Sequence, residues 1–526
     1  MKAWRLAVGV LLVTLFLWPA LPAYAATPVQ VWVDDGYCSA CGNDGHVWNS
    51  DAFATISAAL RAVAAGGTVH VYPGTYREDV SIAKPVRLVA EGPGVQLAPR
   101  LAEVTVLVAA NDVSIEGLEV TGGKQAAILA VGPDFQRQPM RNITVRGTIV
   151  RGGLFGIAMN IDAAWNYGTL AASGIEISGN AVSGCTRAIY VYNAQAAISG
   201  NSVSGLAPEG IGIYSSQGAV SQIKGNTVLV NSPNGRAIYI LDNQGTLIDG
   251  NSLVGATDVL TPTTAIALYG FGDLVLSNNA ILGFYWGTNA YTGGTARIER
   301  NSFQNTAAWA ISFGSAITTT QVSILDNTIR GSYWGLRLDD DGGNGLQATV
   351  RGNDLSDNVV GVQLASSVRS QQVRLAGNAI SGNLSAGLRN ESEAPIIAGD
   401  NWWGTNDGPQ PAGSGDRIES VGSVTASPWV RLQASTGSDG SGQTTVTATL
   451  ASLLYRLSGR SLTFSTTRGT FANSSTTWTA TTDSNGEARA VLTLPAGQAG
   501  SVTISSARGP VLTISVPAPK RANSGN

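Results

Sequence analysis

Hydrophobic and polar residues alternate along most of the chain in short runs. Segments such as "AIYVY", "GIGIY", "AIYIL" and "AIALY" place an apolar residue at every second position. This period of two is typical of a β-strand with one buried face, and no copy of these runs has the 3.6-residue period of an amphipathic helix. The pattern therefore predicts many short strands and an all-β fold.

Each of these runs follows a recurring asparagine by about ten residues, in segments such as "IEISGNAVSG", "AAISGNSVSG" and "VRLAGNAISG". The spacing varies from 21 residues (Asn180 to Asn201) to 28 (Asn251 to Asn279). So short a unit cannot bury its apolar face alone, and copies must stack. Because leucine-rich repeats need a Leu/Asn consensus and propeller blades need about 40 residues, a parallel β-helix is predicted. The asparagines are Asn180, Asn201, Asn226, Asn251, Asn279, Asn301, Asn327, Asn353, Asn378 and Asn401.

The asparagines are expected to occupy the same bend of successive coils, about 4.8 Å apart. There each amide can bond to the backbone and to the next asparagine, and asparagine tolerates the left-handed conformation that such bends require. A structural role for the whole series is therefore predicted.

Both ends of such a column need a cover. The segment "NSDAFATISAALRAVAAGG" predicts an amphipathic capping helix, with Phe53, Ile56, Leu60 and Val63 on its apolar side and a stop at Gly66-Gly67. At the other end, Trp402 and Trp403 in "DNWWG" are expected to form an apolar lid.

The ends of the chain add further segments. Residues 1–25 have a basic start, an apolar centre and an Ala23-Tyr24-Ala25 end, which predicts a signal peptide and therefore an exported protein, secreted or at the bacterial cell surface. The cap is expected at 26–67 and the β-helix at 68–430. Ser/Thr-rich alternation with a "DSNG" turn predicts a small β-sandwich at 431–517, followed by a disordered tail at 518–526.

Charge and hydropathy narrow the choice of partners. The net charge of −3 gives no basic footprint for nucleic acid. No later segment is long and apolar enough to predict a membrane span. We expect a monomer whose partner is an extracellular polysaccharide or a cell-wall glycan.

The three cysteines include a C-x-x-C pair, Cys38 and Cys41, with His46 nearby. In an oxidising compartment a local disulfide is expected, with a metal site that uses both thiolates and His46, or a redox motif, as alternatives. Cys185 is expected to be buried.

Several motifs carry a family resemblance. The helix, the "PGTYRE" coil and the Asn-bearing coils resemble the pectin lyase-like superfamily of right-handed parallel β-helices, and "NWWG…DGP" resembles the closing segment of its exported bacterial surface members. Through "TATTDSNGEARAVLTL", residues 431–517 resemble bacterial Ig-like modules of the invasin type. The resemblance implies a fold, but the superfamily includes lyases, hydrolases, esterases, epimerases and members without known activity.

Candidate chemistry is sparse. The Gly-His-Gly motif of polygalacturonases and the catalytic motifs of pectin methylesterases are absent. A polysaccharide lyase needs a base and a group that neutralises the uronate. The best candidates are Arg337 as the base, with Asp339, Asp340 and Asp341 at a Gly-rich bend as possible Ca²⁺ ligands. A solvated turn is the alternative for these aspartates.

Outward aromatic residues give a stronger pattern. When the strands are aligned by their inward residues, a tyrosine stripe faces outward on five consecutive coils, continued by Arg337, Gln363 and Arg389. Such rings could stack on sugar rings. Alternatives are ordinary stacking between coils, or cover by the loop "TDVLTPTT". Trp286, Trp309 and Trp334 are expected to form a structural stack at a corner. The stripe consists of Tyr190, Tyr192, Tyr214, Tyr239, Tyr269 and Tyr291.

These patterns together favour an exported polysaccharide-binding or structural β-helix protein without an identifiable catalytic constellation. The alternative is a carbohydrate-active enzyme, in particular a calcium-assisted lyase acting on acidic polysaccharide.

Overall fold

The computed structural model describes residues 27–101, 103–134, 137–161, 167–256, 262–270, 272–340, 345–369, 372–438, 443–506 and 509–519. The predicted signal peptide at 1–25 and most of the predicted tail at 518–526 lie outside the described residues. No helix in the described part is long and apolar enough to cross a membrane.

Most of the chain coils into three ladders of parallel strands. A typical coil contributes one strand to the first ladder, a short strand to the second ladder and then a strand to the third, and the ten coils from Asn180 to Asn401 turn at an asparagine between the first two ladders. Two long strands, Trp286–Glu299 and Trp309–Leu325, run from the third ladder directly into the first. The predicted parallel β-helix is confirmed.

The remaining strands of the first ladder are Gln30–Val33, Gly67–Val71, Val86–Ala90, Val113–Glu116, Arg141–Arg146, Ala172–Ser178, Ala194–Ser199, Ala219–Lys224, Gln244–Asp249, Leu274–Ser277, Leu346–Arg351, Val373–Ala376, Ile396–Ile397 and Val424–Thr425. Those of the second ladder are Gly74–Arg77, Val95–Ala98, Glu119–Thr121, Ile149–Arg151, Ala181–Ser183, Ser202–Ser204, Thr227–Val230, Ser252–Gly255, Ala280–Leu282, Ser302–Gln304 and Thr328–Arg330. Those of the third ladder are Val80–Ile82, Val104–Val108, Ala126–Ala130, Phe155–Met159, Arg187–Tyr192, Ile211–Ser216, Arg236–Leu241, Thr264–Tyr269, Trp334–Asp339, Val360–Leu364, Ala386–Asn390 and Gly415–Ser420.

The period-two pattern decides which side chains fill the interior. Ile189, Val191, Ile238 and Ile240 point inward and are fully buried. They belong to one continuous apolar core that runs from Val31 to Trp403. Alternation along the strands therefore gave the inward face of the third ladder correctly.

The ten asparagines form the predicted column at the turn between the first and second ladders. Each Nδ2 donates to the Oδ1 of the next asparagine at 2.9–3.0 Å, in nine consecutive links from Asn180 to Asn401. The same Oδ1 also accepts the backbone N–H of the preceding asparagine, as Asn301 does from Asn279 at 2.9 Å. The column is buried, and its amides pair backbone groups that the turn would otherwise leave unsatisfied.

The helix of the N-terminal cap is shorter than predicted at both ends, since it begins after Phe53 and ends at Ala62, before the predicted stop at Gly66-Gly67. The helix covers only Ile56–Ala62, because Thr55 is its N-cap and accepts the N–H of Ala58. The preceding Ala52–Phe53 is instead a strand that pairs with Gln30–Val33. The Glu78 carboxylate accepts the N–H groups of Ile56 and Ser57, so the helix is tied to the first coil.

The cysteines are placed as expected. Cys38 and Cys41 form a disulfide, and Cys185 is buried. His46 instead stacks on Trp32, with ring centroids 3.9 Å apart, and its Nδ1 lies 3.3 Å from Asp51. With the two sulfurs bonded to each other, the alternative of a thiolate metal site is not formed in the structure.

Two antiparallel four-stranded sheets follow the β-helix and form the predicted sandwich. The "DSNG" turn joins strands of different sheets, because Thr477–Thr481 pairs with Ser461–Thr466 whereas Glu487–Thr493 pairs with Gln443–Ala451. One sheet contains Arg431–Ser438, Gln443–Ala451, Glu487–Thr493 and Thr470–Phe471, and the other contains Thr477–Thr481, Ser461–Thr466, Gly500–Ser506 and Gly509–Val516. A short strand, Pro409–Gln410, pairs with Gly415–Ser420 before the sandwich begins.

The two tryptophans of the predicted lid serve two different cores. The side chain of Trp403 is buried in the core of the β-helix, whereas that of Trp402 is buried with the sandwich residues. Arg460 of the sandwich adds an ion pair to Asp354 of the β-helix at 2.8 Å, and Asp354 also accepts from Arg330. The sandwich therefore packs directly on the last coils.

Candidate functional site

The outward side chains of the third ladder form an aromatic surface. Strand register places Tyr190, Tyr214 and Tyr239 in one row along the long axis of the β-helix. Tyr192, Tyr269 and Tyr291 lie in a second row, with Ser216 and Leu241 between the first two. We call this surface, from Tyr190 to Trp334, the aromatic face.

Neighbouring rings on this face are in contact. The Tyr190 and Tyr214 rings stack at 4.4 Å between centroids and 2° between planes, and Tyr239 follows Tyr214 at 5.3 Å. Tyr269 meets Tyr239 edge-on at 5.9 Å and stacks on Tyr291 at 6.1 Å. Five of the six predicted outward tyrosines, all except Tyr192, are thus brought together as one continuous column of rings.

The exposure of the column is uneven. Tyr190 is only 4% exposed, so the expectation that it is exposed is wrong, while the other five tyrosines are half-buried. Phe155 packs against its ring edge at 5.1 Å, and Tyr214 covers one ring face. Burial raises the pKa of the Tyr190, Tyr214 and Tyr269 hydroxyls, so these remain protonated hydrogen-bond donors at neutral pH. The loop "TDVLTPTT", which was considered as a cover, lies mostly outside the described residues.

At the end of the second tyrosine row, a glycine allows the last ring to lie directly over the backbone of the next coil. Tyr291 is in register with Gly314 of the next coil. A Cβ at Gly314 would lie 2.8 Å from Tyr291 Cε1, so only glycine lets the ring lie over this strand.

Three tryptophans continue the aromatic face at the start of the same strands. Trp286, Trp309 and Trp334 stack with centroids 6.0 Å apart, which confirms the predicted stack at a corner. All three are half-buried, so part of each ring reaches the surface. Tyr285 and Tyr333 pack edge-on against Trp286 and Trp334 at 5.0 and 4.3 Å.

The candidate catalytic and metal residues lie at the polar end of this face. Arg337 donates to Asp339 and lies over the Trp309 ring at 5.7 Å. Asp339 also accepts from Ser367 Oγ at 2.5 Å, and both Asp339 and Asp340 are buried. The alternative of a solvated turn is therefore wrong for these two aspartates. The third predicted ligand, Asp341, lies outside the described residues.

Further polar pairs follow Arg337 along the row, as its register with Gln363 and Arg389 predicts. Gln363 Nε2 donates to Glu391 at 2.9 Å, and Arg389 Nε donates to Glu419 at 2.9 Å. An open cleft of about 710 Å³, lined partly by Arg369, Glu391 and Glu393, lies beside these pairs.

The first ladder presents a different surface. Its outward Glu116 accepts from Arg87 and Arg146, and these contacts, led by that with Arg87, lower the pKa of Glu116 to about 2. Further along the first ladder Glu299 pairs with Arg297 and Arg300 in the same way, whereas the outward rings from Tyr190 to Trp334 lie on the third ladder. The aromatic face is therefore specific to one side of the β-helix.

Sequence reasoning missed three aromatic residues near the site. Tyr285 and Tyr333 could have been found from the repeated "YW" pairs that begin two of the strands. Tyr167 stacks on Tyr192 at 4.5 Å, but it lies in a loop between coils where no repeat signals its position.

Comparison with known proteins gives one family match. The family model described as "Periplasmic copper-binding protein (NosD)" matches residues 105–259 and 166–320, which is less than half of the chain. The predicted location outside the cytoplasm agrees with this description and with the Cys38–Cys41 disulfide. No protein of curated function matches the sequence.

Two solved structures are similar at low identity. The tailspike of E. coli bacteriophage HK620, solved as a mutant in complex with a pentasaccharide, is 11% identical with a TM-score of 0.30, over 93% of this chain and 92% of that one. An Acinetobacter phage tailspike is 10% identical with a TM-score of 0.31, over 90% of this chain and 82% of that one. Scores this low carry no conclusion about this chain.

The residues of the matched region do not fit a copper site. Copper is held by imidazole and by soft sulfur ligands, but both histidines of the chain, His46 and His70, precede residue 105. Met140, Met159 and Cys185 are all buried. Within the described ranges no group of three or more His, Cys, Asp or Glu side chains is placed to hold a metal ion. We therefore do not carry copper binding over to this chain.

Proposed function

We propose that this exported β-helix protein binds an extracellular polysaccharide along the aromatic face. The observation that carries the proposal is the continuous column of tyrosine rings, followed on the same ladder by three stacked tryptophans. On this side aromatic surface is repeated coil after coil, as a polymer of repeated sugar units requires. On the first ladder of the same coils, the positions in register with one another are Ala197, Gln222, Leu247 and Val275, none of which is aromatic.

The chemistry of the face suits sugar rings. Tyrosine and tryptophan present flat apolar surfaces on which a pyranose can stack, and tyrosine adds a hydroxyl at the rim. Arg236 lies over the Tyr239 ring at 5.5 Å and supplies further donors between the rings. Since coils repeat about every 4.8 Å, an extended glycan that lies parallel to the long axis meets several rings at once.

Replacing Tyr214, Tyr239 and Tyr269 together by Ala is expected to weaken binding, because the centre of the column is lost. Each aromatic contact contributes about 0.5–1.5 kcal/mol, so the triple variant should bind at least about tenfold more weakly. Retention and titration calorimetry on alginate, polygalacturonate, xylan and dextran measure the change.

A matched control uses Leu229 and Leu282, which point outward from the second ladder of neighbouring coils and are 39% and 41% exposed. The L229A/L282A variant removes apolar surface from another side and should bind like the wild type. A tyrosine variant that keeps its thermal unfolding curve and its full retention would contradict the proposal and leave a structural role.

The alternative proposal is a calcium-assisted polysaccharide lyase centred on Arg337 and the neighbouring aspartates. A lyase base has to accept a proton, whereas the Arg337 guanidinium already donates to Asp339. We therefore expect no rise in unsaturated-product absorbance from polygalacturonate or alginate, with Ca²⁺ or with a chelator. A chelator-sensitive signal that disappears in Arg337→Ala would instead establish the enzyme.

The family assignment of the β-helix and of the sandwich is part of the same proposal. We assign the β-helix to the pectin lyase-like superfamily on the "PGTYRE" coil and the Asn-bearing coils, and the sandwich to the bacterial Ig-like type on its sequence. Two packed antiparallel sheets support the second assignment.

A further inference from the structure

The aromatic face has a wall at one end. Tyr167, from the loop that follows strand Phe155–Met159, stacks on Tyr192 with centroids 4.5 Å apart. Tyr167 is 41% exposed, more than any of the six tyrosines of the stripe, of which Tyr190 is buried and the others are half-buried. It lies at the coil where the column begins.

Beyond Tyr167 the outward surface of the third ladder is no longer open. The positions in register with Tyr190 on the two preceding coils are Ala158 and Leu129, which are 0% and 2% exposed. Together with Phe155 and Ile161 they form a small apolar cluster on the outside of the β-helix. A glycan that follows the ring column therefore meets covered apolar residues at this end.

The described part of the loop is held firmly in place. Gly168 N–H donates to the Asn160 carbonyl at 2.9 Å, and Asn160 Nδ2 donates to the Leu170 carbonyl at 3.1 Å. Asn193 of the next coil donates from its Nδ2 to the Gly168 carbonyl at 3.2 Å. These three hydrogen bonds hold the backbone that directly follows Tyr167, so the end of the loop is part of the folded surface.

At the other end the face stays open. The row continues past the tryptophans into the Gln363–Glu391 and Arg389–Glu419 pairs and the cleft beside them. One closed and one open end make the face directional.

We propose that the aromatic face binds the terminal segment of a polysaccharide chain, with the chain end placed against Tyr167. This inference rests on the proposed function and narrows it from any stretch of the polymer to one of its two ends. Internal segments would have to pass through the position of the Tyr167 ring.

The test uses size-fractionated fragments of whichever polysaccharide among alginate, polygalacturonate, xylan and dextran retains the protein. At equal polymer mass, the amount of wild-type protein bound at saturation should rise in proportion to the number of chain ends as fragments shorten. Fragments modified at the reducing end, or at the non-reducing end, then show which end is held, because one of the two should bind at least about tenfold more weakly.

Tyr167→Ala should change this behaviour without abolishing binding. With the wall removed, saturation should follow polymer mass and become independent of fragment length. Leu170→Ala, in the same loop and 38% exposed, is the matched control and should keep the end dependence. End recognition would be overturned, with polysaccharide binding intact, if saturation of the wild type followed polymer mass alone or if fragments modified at both ends bound equally well. If the protein bound none of the four polymers, the proposed function itself would be wrong.

Discussion

At the scale of single residues, a buried amide holds the coils in register. Asn279 illustrates this, because its Oδ1 accepts two hydrogen bonds from Asn251, and its Nδ2 donates to Asn301 and to the carbonyls of Ile248 and Ser277. One side chain thus satisfies the backbone of its own turn and links it to both neighbours. Burial makes each of these bonds costly to lose, since no water replaces the missing partner.

Asn279→Ala should therefore destabilise the protein by at least about 2 kcal/mol, because several buried donors and acceptors lose their partners at once. Urea unfolding followed by circular dichroism measures the change. Asn231→Ala, at an exposed turn of a neighbouring coil, serves as the control and should unfold like the wild type. Equal stability of the two variants would show that the column does not hold the coils.

At the scale of elements, strand alternation and spacing were enough to predict the inward and outward residues of the third ladder. Ile189 and Val191 point inward and Tyr190 outward because side chains alternate along any strand. The burial of outward side chains by their neighbours was not predictable from alternation. Tyr190 is buried by Phe155 and Tyr214, and Tyr167 comes from a loop whose path no periodicity describes.

Side-chain pairs and local strand pairing also could not be predicted from the sequence. Composition placed three acids at the bend after Arg337, but it could not show that Arg337 turns back along its own strand to bind Asp339, or that Ser367 arrives from the next coil. The helix start was misplaced for a similar reason. Ala52 and Phe53 suit a helix by sequence, but pairing with strand Gln30–Val33 takes them into the ladder.

At the scale of the whole molecule, the sandwich and the β-helix behave as one body. Trp402 belongs by backbone to the last rung of the second ladder, where it pairs with Ala379, and by side chain to the sandwich core. Asp354 is buried between Arg330 of the β-helix and Arg460 of the sandwich. The sandwich is thus the C-terminal cover of the column.

Arg460→Ala should lower the free energy of unfolding by about 3 kcal/mol. This is at the low end for a broken buried ion pair, because Arg330 still neutralises Asp354. Arg489→Ala removes an exposed pair with Glu487 within the sandwich and should have little effect. Differential scanning calorimetry compares the two variants. If both unfold at the wild-type temperature, the Asp354 contact does not join the sandwich to the β-helix.

The asparagine column has a consequence for how such a molecule can change in length. Each of the ten coils from Asn180 to Asn401 carries its own rung and its own outward position on the third ladder, and each rung joins the next by the same bonds. Duplication of one coil in the middle would extend the protein by a single step while both terminal covers stay as they are. Natural variation by whole repeats would thus change the number of outward positions on the third ladder before it changes the surroundings of each one.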